Sequence, residues 1–273
     1  MTDRSHLRGY GELTHLLSPL TELMALAGGK ILDIAKSSLG AREKPDRSPV
    51  TAADIAAEEI LREGLARLLP GVPFIAEESV SHGDIPEPGK EFLLIDPLDG
   101  TIEFIAGRDE YTVNVGLIAH GVPILGAIYA PAECVVYAGA EGMAFRAPLA
   151  PGASFDLKNT SRIRARARPS KLVAAVSRSF PDKASEAFLS TLPIKGRLVL
   201  GSSLKFVRMA EGEVDVYPRL TSISEWDVAA GHALLNAAGG RVETPDGQPI
   251  HYGRKDKKFR LEAFVAWGAK PDQ

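Results

Sequence analysis

The chain has 273 residues, 45% of them hydrophobic and 25% charged, with a formal net charge of −3 at neutral pH. That is ordinary for a globular protein of one large or two modest domains, and the absence of basic excess gives no support to a general nucleic-acid binder. A single cysteine, Cys134, excludes an internal disulfide framework and a multi-cysteine zinc site. Set among Val135 and Val136, it reads as a buried structural thiol. No apolar run approaches the ~20 residues of a membrane span. Residues 1–11 are polar and lack the apolar core of a secretion signal, so a cytoplasmic enzyme or binding protein is the expectation.

In chain order, residues 16–39 carry apolar side chains at helical spacing, interrupted at Gly28-Gly29, where a close packing contact is expected. A polar loop over 40–48 leads to Thr51 and Asp54, which read as the N-cap of a helix over 55–69 or, equally, as a carboxylate aimed into a site from that helix start. A short strand over 72–76 runs into Glu77-Glu78-Ser79, and the Gly- and Pro-rich stretch 80–90 reads as an irregular loop. Strands over 111–119 and 122–129 form a hairpin at His120-Gly121, and 134–138 with 143–146 form another, so this half builds a largely antiparallel meander. Residues 148–152 are turn-rich and mark the expected boundary between subdomains 1–148 and 149–273. Arg162, Arg164, Arg166 and Arg168 alternate with smaller residues, as on one face of a strand, either a solvated edge or an anion-attracting surface. Strands over 172–176, 197–200, 214–217, 241–244 and 263–267 then alternate with helices over 183–192, 201–210 and 225–238.

The stretch with most chemical content is Phe92-Leu93-Leu94-Ile95-Asp96-Pro97-Leu98-Asp99-Gly100-Thr101. A buried strand delivers two carboxylates around a proline turn. Two ionised carboxylates this close repel unless a cation lies between them, and Mg²⁺ takes such oxygen ligands together with phosphate oxygens. An Asp-rich turn alone has the same look. Glu77 and Asp227 also stand at element ends and extend the acidic set.

Asp96-Pro97-Leu98-Asp99-Gly100-Thr101 with Trp226-Asp227-Val228-Ala229-Ala230-Gly231 resembles the inositol monophosphatase superfamily of Mg²⁺-dependent phosphatases. Val50-Thr51-Ala52-Ala53-Asp54 and Ile75-Ala76-Glu77-Glu78-Ser79 match its other motifs in order, and the likeness spans nearly the whole chain. It implies a layered αβαβα sandwich of two α/β subdomains with the active site between them. It also implies two or three Mg²⁺ held by Glu77, Asp96, Asp99, Asp227 and the Leu98 carbonyl, and a water activated by Thr101 with Asp54. The N–H groups of Gly100 and Thr101 would cradle the substrate phosphate, against which Glu77, Leu98, Asp99 and Asp227 also lie. Gly201 to Phe206, Ala210-Glu211-Gly212, Val216 to Arg219, Glu103-Phe104 and Tyr129-Ala130-Pro131 resemble the CysQ branch, the 3′(2′),5′-bisphosphate nucleotidases of sulfur metabolism.

By that resemblance Ser202, Lys205 and Arg219 would hold the 5′-phosphate of 3′-phosphoadenosine 5′-phosphate, whose 3′-phosphate is hydrolysed to give AMP. Phe180 stands where the branch often has a histidine, so it can stack on a base but donates no hydrogen bond. The alternatives are an inositol or sugar monophosphatase with the same metal site and, from another class, a non-catalytic nucleotide or metal sensor. The resemblance implies a small-molecule bisphosphate nucleotide as partner rather than a nucleic-acid polymer. It leaves open Li⁺ inhibition, a homodimer, and peripheral association with the inner membrane.

Overall fold

The computed structural model describes residues 13–36, 40–44 and 49–270; residues 1–12 and 271–273 and parts of the expected first helix (37–39) and loop (45–48) lie outside them. The chain runs through α1 (Thr14–Ala35), β1 (Arg42–Glu43), β2 (Pro49–Val50), α2 (Ala52–Leu68), β3 (Phe74–Ala76), α3 (Glu77–Ser81), β4 (Glu91–Asp99) and α4 (Thr101–Ile105). A meander follows, β5 (Thr112–Ala119), β6 (Val122–Ala130), β7 (Val135–Ala140) and β8 (Met143–Pro148), and then β9 (Ser161–Arg162). The rest is β10 (Leu172–Ser177), α5 (Lys183–Ser190), β11 (Ile194–Leu200), α6 (Leu204–Ala210), β12 (Val216–Arg219), β13 (Ile223–Ser224), α7 (Trp226–Ala237), β14 (Arg241–Glu243), β15 (Arg260–Leu261) and β16 (Phe264–Trp267).

Two sheets dominate. The first has the order β3-β4-β5-β6-β7-β8-β9, antiparallel except for the parallel β3/β4 pair, and the second is a mixed sheet with the order β11-β10-β12-β16-β14. Period-2 alternation sends Leu93 and Ile95 to one face of the first sheet, where α1 and α2 pack, and Phe92 and Leu94 to the other. That second face meets α6 and α7, which the inner face of the second sheet covers through Tyr217, Phe264 and Ala266. Leu172, Val216 and Val265 point outward under α5 with Leu189. The layers are therefore α-β-α-β-α, as the resemblance implies. We keep, as a proposal, a first subdomain ending at Pro148; β9 pairs back to β8 from beyond that point.

The arginine alternation does not make a strand of its own. Beyond Arg162 the chain leaves the sheet, and two of its arginines find separate partners: Arg166 donates two bonds to Asp215, both 2.7 Å, and Arg168 lies over the Trp267 ring. None of the four lines the principal cleft. Cys134 is half-buried and left-handed at φ 50°, closing a turn rather than filling the core.

Glycines set how closely the helices approach the first sheet. A Cβ on Gly28 of α1 would lie 2.3 Å from Tyr129 of β6, the contact expected from the helix interruption. On the other face Gly116, Gly126 and Gly139 stand in register across β5, β6 and β7. A Cβ on Gly126 would lie 2.1 Å from the Ala230 carbonyl oxygen, and on Gly139 2.8 Å from Ala237, so α7 rests directly on this row. Gly231, on the same helix, would drive a Cβ to 2.3 Å from Phe206 of α6. The position of α7 fixes that of Asp227 in its first turn. Gly126→Ala is expected to destabilise the protein by roughly 2–3 kcal/mol through overpacking, measured by urea unfolding; parental stability would mean that the helix can ride off the sheet.

Candidate active site

β4 ends in a bulge. Asp96 pairs with Asn114 and Asp99 with Thr112, so one extra residue enters the β4 side between them. A bulge re-aims side chains, and here it turns both aspartates toward the same cleft while the Leu98 N–H donates to Asp96 Oδ1 at 3.1 Å. Gly100 follows at φ 93°, and a Cβ there would meet the Glu110 carbonyl oxygen at 2.7 Å. That combination requires glycine. α4 begins immediately, with Thr101 in its first position. The Thr101 hydroxyl lies 3.1 Å from both Asp54 Oδ1 and the Leu98 carbonyl oxygen, either of which can accept its single proton.

Asp54 caps α2 and also reaches Thr101. Its Oδ2 accepts from the Thr51 N–H at 2.7 Å and the Thr51 hydroxyl at 2.6 Å, completing a capping box on α2, while Oδ1 faces Thr101. Burial pushes its carboxyl above the usual range, and the bonds from Thr51 work against that shift.

Oxygens of Glu77, Asp96 and Asp227 lie within 4.8 Å of one another. They arrive from three elements: Glu77 opens α3, Asp96 is on β4 and Asp227 is in the first turn of α7. Buried Glu58 of α2 secures the start of α3 by accepting the N–H groups of Glu78 at 2.8 Å and Ser79 at 2.9 Å. The Ser224 N–H donates to Asp227 Oδ2 at 3.2 Å. Asp99 stands beside this group and accepts from Asn114 Nδ2 at 3.2 Å, with Asn114 held in turn by the Ser203 hydroxyl at 2.7 Å.

Burial, reinforced by Glu77, Asp99 and Asp227, holds Asp96 well above the usual carboxylate range. Burial with Asp99 and Glu77 raises Asp227 to about 8. Asp99 is raised to about 6, burial outweighing Lys205 and Asn114. Carboxylates so placed must take up protons or a cation, and an all-oxygen donor set with the Leu98 carbonyl nearby suits a hard divalent ion. The cluster also draws in Lys44, whose Nζ lies 2.6 Å from both Glu77 and Glu78. A lysine in a polar loop gave no sequence signal of this, and neither Glu58 nor Asn114 belongs to a recognisable motif.

Ser202, Lys205 and Arg219 line the same cleft, of about 440 Å³, as the carboxylates. Lys205 is buried, donates to the carbonyls of Ser202 at 2.6 Å and Leu200 at 3.3 Å, and burial lowers its pKa to about 8 against the pull of Asp99. Arg219 donates to the Phe180 carbonyl at 3.3 Å and lies under that residue's exposed ring, leaving its buried Nε without a partner. The two sides of the cleft are clamped together. Arg178 makes two 2.7 Å bonds to Glu110, which also accepts the Gly201 N–H at 2.7 Å, and Ser179 donates to Glu103.

Comparison with known proteins gives a consistent result. The 3′(2′),5′-bisphosphate nucleotidase CysQ of Escherichia coli (strain K12) is 38% identical over 239 residues, covering 87% of this chain and 94% of that protein. Its Salmonella typhimurium counterpart is 39% identical over 240 residues, with the same coverage. A crystal structure of CysQ from Bacteroides thetaiotaomicron superposes with a TM-score of 0.80 at 29% identity, covering 96% of this chain and 99% of that one. The model of the inositol monophosphatase family matches residues 12–264. With its acidic cluster, its bulged β4 and its layered sheets all in place, the chain belongs to the inositol monophosphatase family.

Proposed function

We propose that this chain is a cytoplasmic, Mg²⁺-dependent 3′(2′),5′-bisphosphate nucleotidase that hydrolyses 3′-phosphoadenosine 5′-phosphate to AMP and phosphate, a step linked to sulfate assimilation. The observation that carries this assignment is the shared cleft, lined both by a carboxylate cluster and by Lys205 with Arg219. The CysQ relatives support it. Among the described residues no helix is long and apolar enough to cross a membrane.

Glu77, Asp96, Asp99, Asp227 and the Leu98 carbonyl would hold two or three Mg²⁺. When bound, Mg²⁺ supplies stabilisation of charge on the phosphoryl oxygens and acidifies water. Asp54 accepts the Thr101 hydroxyl proton, which leaves the oxygen lone pairs of Thr101 to accept from, and orient, the attacking water. The N–H groups of Gly100 and Thr101 would face the phosphate, and displacement at phosphorus would be in line with the departing 3′-oxygen. Ser202, Lys205 and Arg219, which line the same cleft, would receive the 5′-phosphate, with Phe180 beside the base.

Asp99→Asn is expected to abolish phosphate release while leaving the circular dichroism spectrum unchanged; retained turnover would exclude this residue from the metal set. Arg219→Ala should lower the ratio of kcat/KM for the bisphosphate nucleotide to that for a small monoester by tenfold or more, about 1.5–3 kcal/mol for a hydrogen bond to a charged group. Equal losses on both substrates would refute the division of the cleft.

The raised carboxylates also give a linkage prediction. Asp227 has a folded pKa of about 8 against an ordinary 3.8, so its stabilising protonation is complete below about pH 4 and is lost as pH rises through about 8. Metal-free protein should therefore lose thermal stability between about pH 5 and pH 8.5, and saturating Mg²⁺ should remove most of that loss. Scanning calorimetry checks this, and a metal-free Tm that is flat or rising over the window contradicts it.

A further inference from the structure

The C-terminal loop places two more cations on the cleft. Lys258 and Arg260 line it beside Ser222 and Ser224, away from Lys205 and Arg219 in the chain. Between them Phe259 is fully buried and anchors the backbone. Glu225, two residues before Asp227, fastens the loop to the base of α7. Its carboxylate accepts the N–H groups of Gly253 at 2.7 Å and Arg254 at 2.9 Å, and its own N–H donates to the Phe259 carbonyl at 2.8 Å. Lys255 ties the loop to the Ile85 carbonyl at 3.1 Å and to Glu87 at 2.6 Å. Side chains on such a loop project from a fixed frame.

Both cations keep their charge uncompensated. Arg260 donates only to neutral oxygens, from Nε to the Ser222 hydroxyl and from Nη1 to the Ser224 hydroxyl, both 3.1 Å, and from Nη2 to the Ser222 carbonyl at 3.0 Å. These bonds fix the guanidinium plane without neutralising it. The Lys258 side chain has no hydrogen-bond or ion-pair partner among the described residues, while its N–H donates to the Lys255 carbonyl at 2.9 Å; the residue sits at φ 53°, ψ 41°, a left-handed conformation that glycine would adopt more easily.

Their placement says what they meet. Along residues 219–227 the order is Arg219, Ser222, Ser224, Asp227, and Arg260 is bonded to the middle two. It therefore lies on the cleft that Arg219 and Asp227 also line. A simple monoester carries a single anionic group, whereas a nucleoside bisphosphate carries a second one that uncompensated cations lining the same cleft can meet. We propose that Lys258 and Arg260 form a second cationic wall that draws in a nucleoside bisphosphate and holds it across the cleft, setting selectivity for substrates with an anionic group besides the scissile phosphate. The proposal rests on the nucleotidase assignment above.

Lys258→Gly and Arg260→Gln test it, the first relieving the backbone and the second retaining donors for Ser222. At low ionic strength each should raise KM for 3′-phosphoadenosine 5′-phosphate about tenfold with kcat within about twofold, as expected for binding lost without chemistry. The difference should shrink at high salt, where exposed charges are screened. The Tm of Lys258→Gly should equal or exceed the parent's, separating lost binding from lost folding. If the parent hydrolyses the nucleotide and both variants match its KM, or lose nucleotide and p-nitrophenyl phosphate turnover equally, the wall is refuted and the nucleotidase assignment stands. If the parent shows no preference for the nucleotide over p-nitrophenyl phosphate, the assignment itself falls.

Discussion

Repulsion among Glu77, Asp96, Asp99 and Asp227 is the constraint around which the fold is arranged. Among the described residues only Glu77 of the four has a cation within ion-pair distance, Lys44. The others are held by neutral donors: the Leu98 N–H, Asn114 and the Ser224 N–H. Burying like charges opposes folding, so their positions are enforced by the bulge in β4, by Glu58 behind α3 and by the packing of α7. Helices and sheets supply the rigidity that such a cluster needs if it is to wait for ions.

Positive charge meets this cluster at Lys44 and Lys205 and is otherwise graded by burial. Lys205 is sunk beneath the cleft floor and committed to two carbonyls, so it acts mainly as a fixed charge opposite Asp99. Arg219 retains an open donor, and Lys258 and Arg260 stand exposed at the mouth.

Much of this was legible in the sequence because it is local. The strand ending in Asp96-Pro97-Leu98-Asp99-Gly100-Thr101, the Thr51/Asp54 cap and the start of α7 each announce themselves within a few residues. What could not be read depends on register or on distant partners. Lys44 meets Glu77 across 33 residues, and Glu110 meets Arg178 across 68. The alternating arginines misled because an extended chain can alternate without pairing, and the partners that decided the matter, Asp215 and Trp267, lie far along the sequence. Gly116, Gly126 and Gly139 are each visible as glycines within strands, but only pairing reveals that they form a row.

That row limits how the enzyme can move. α7 touches the first sheet without intervening side chains, and its other face is locked against α6 at Gly231. A hinge between the two sheets would have to pull the helix from this groove, taking Asp227 away from Asp96 and dismantling the cluster. Substrate-dependent closure must therefore come from the connecting segments at the cleft mouth.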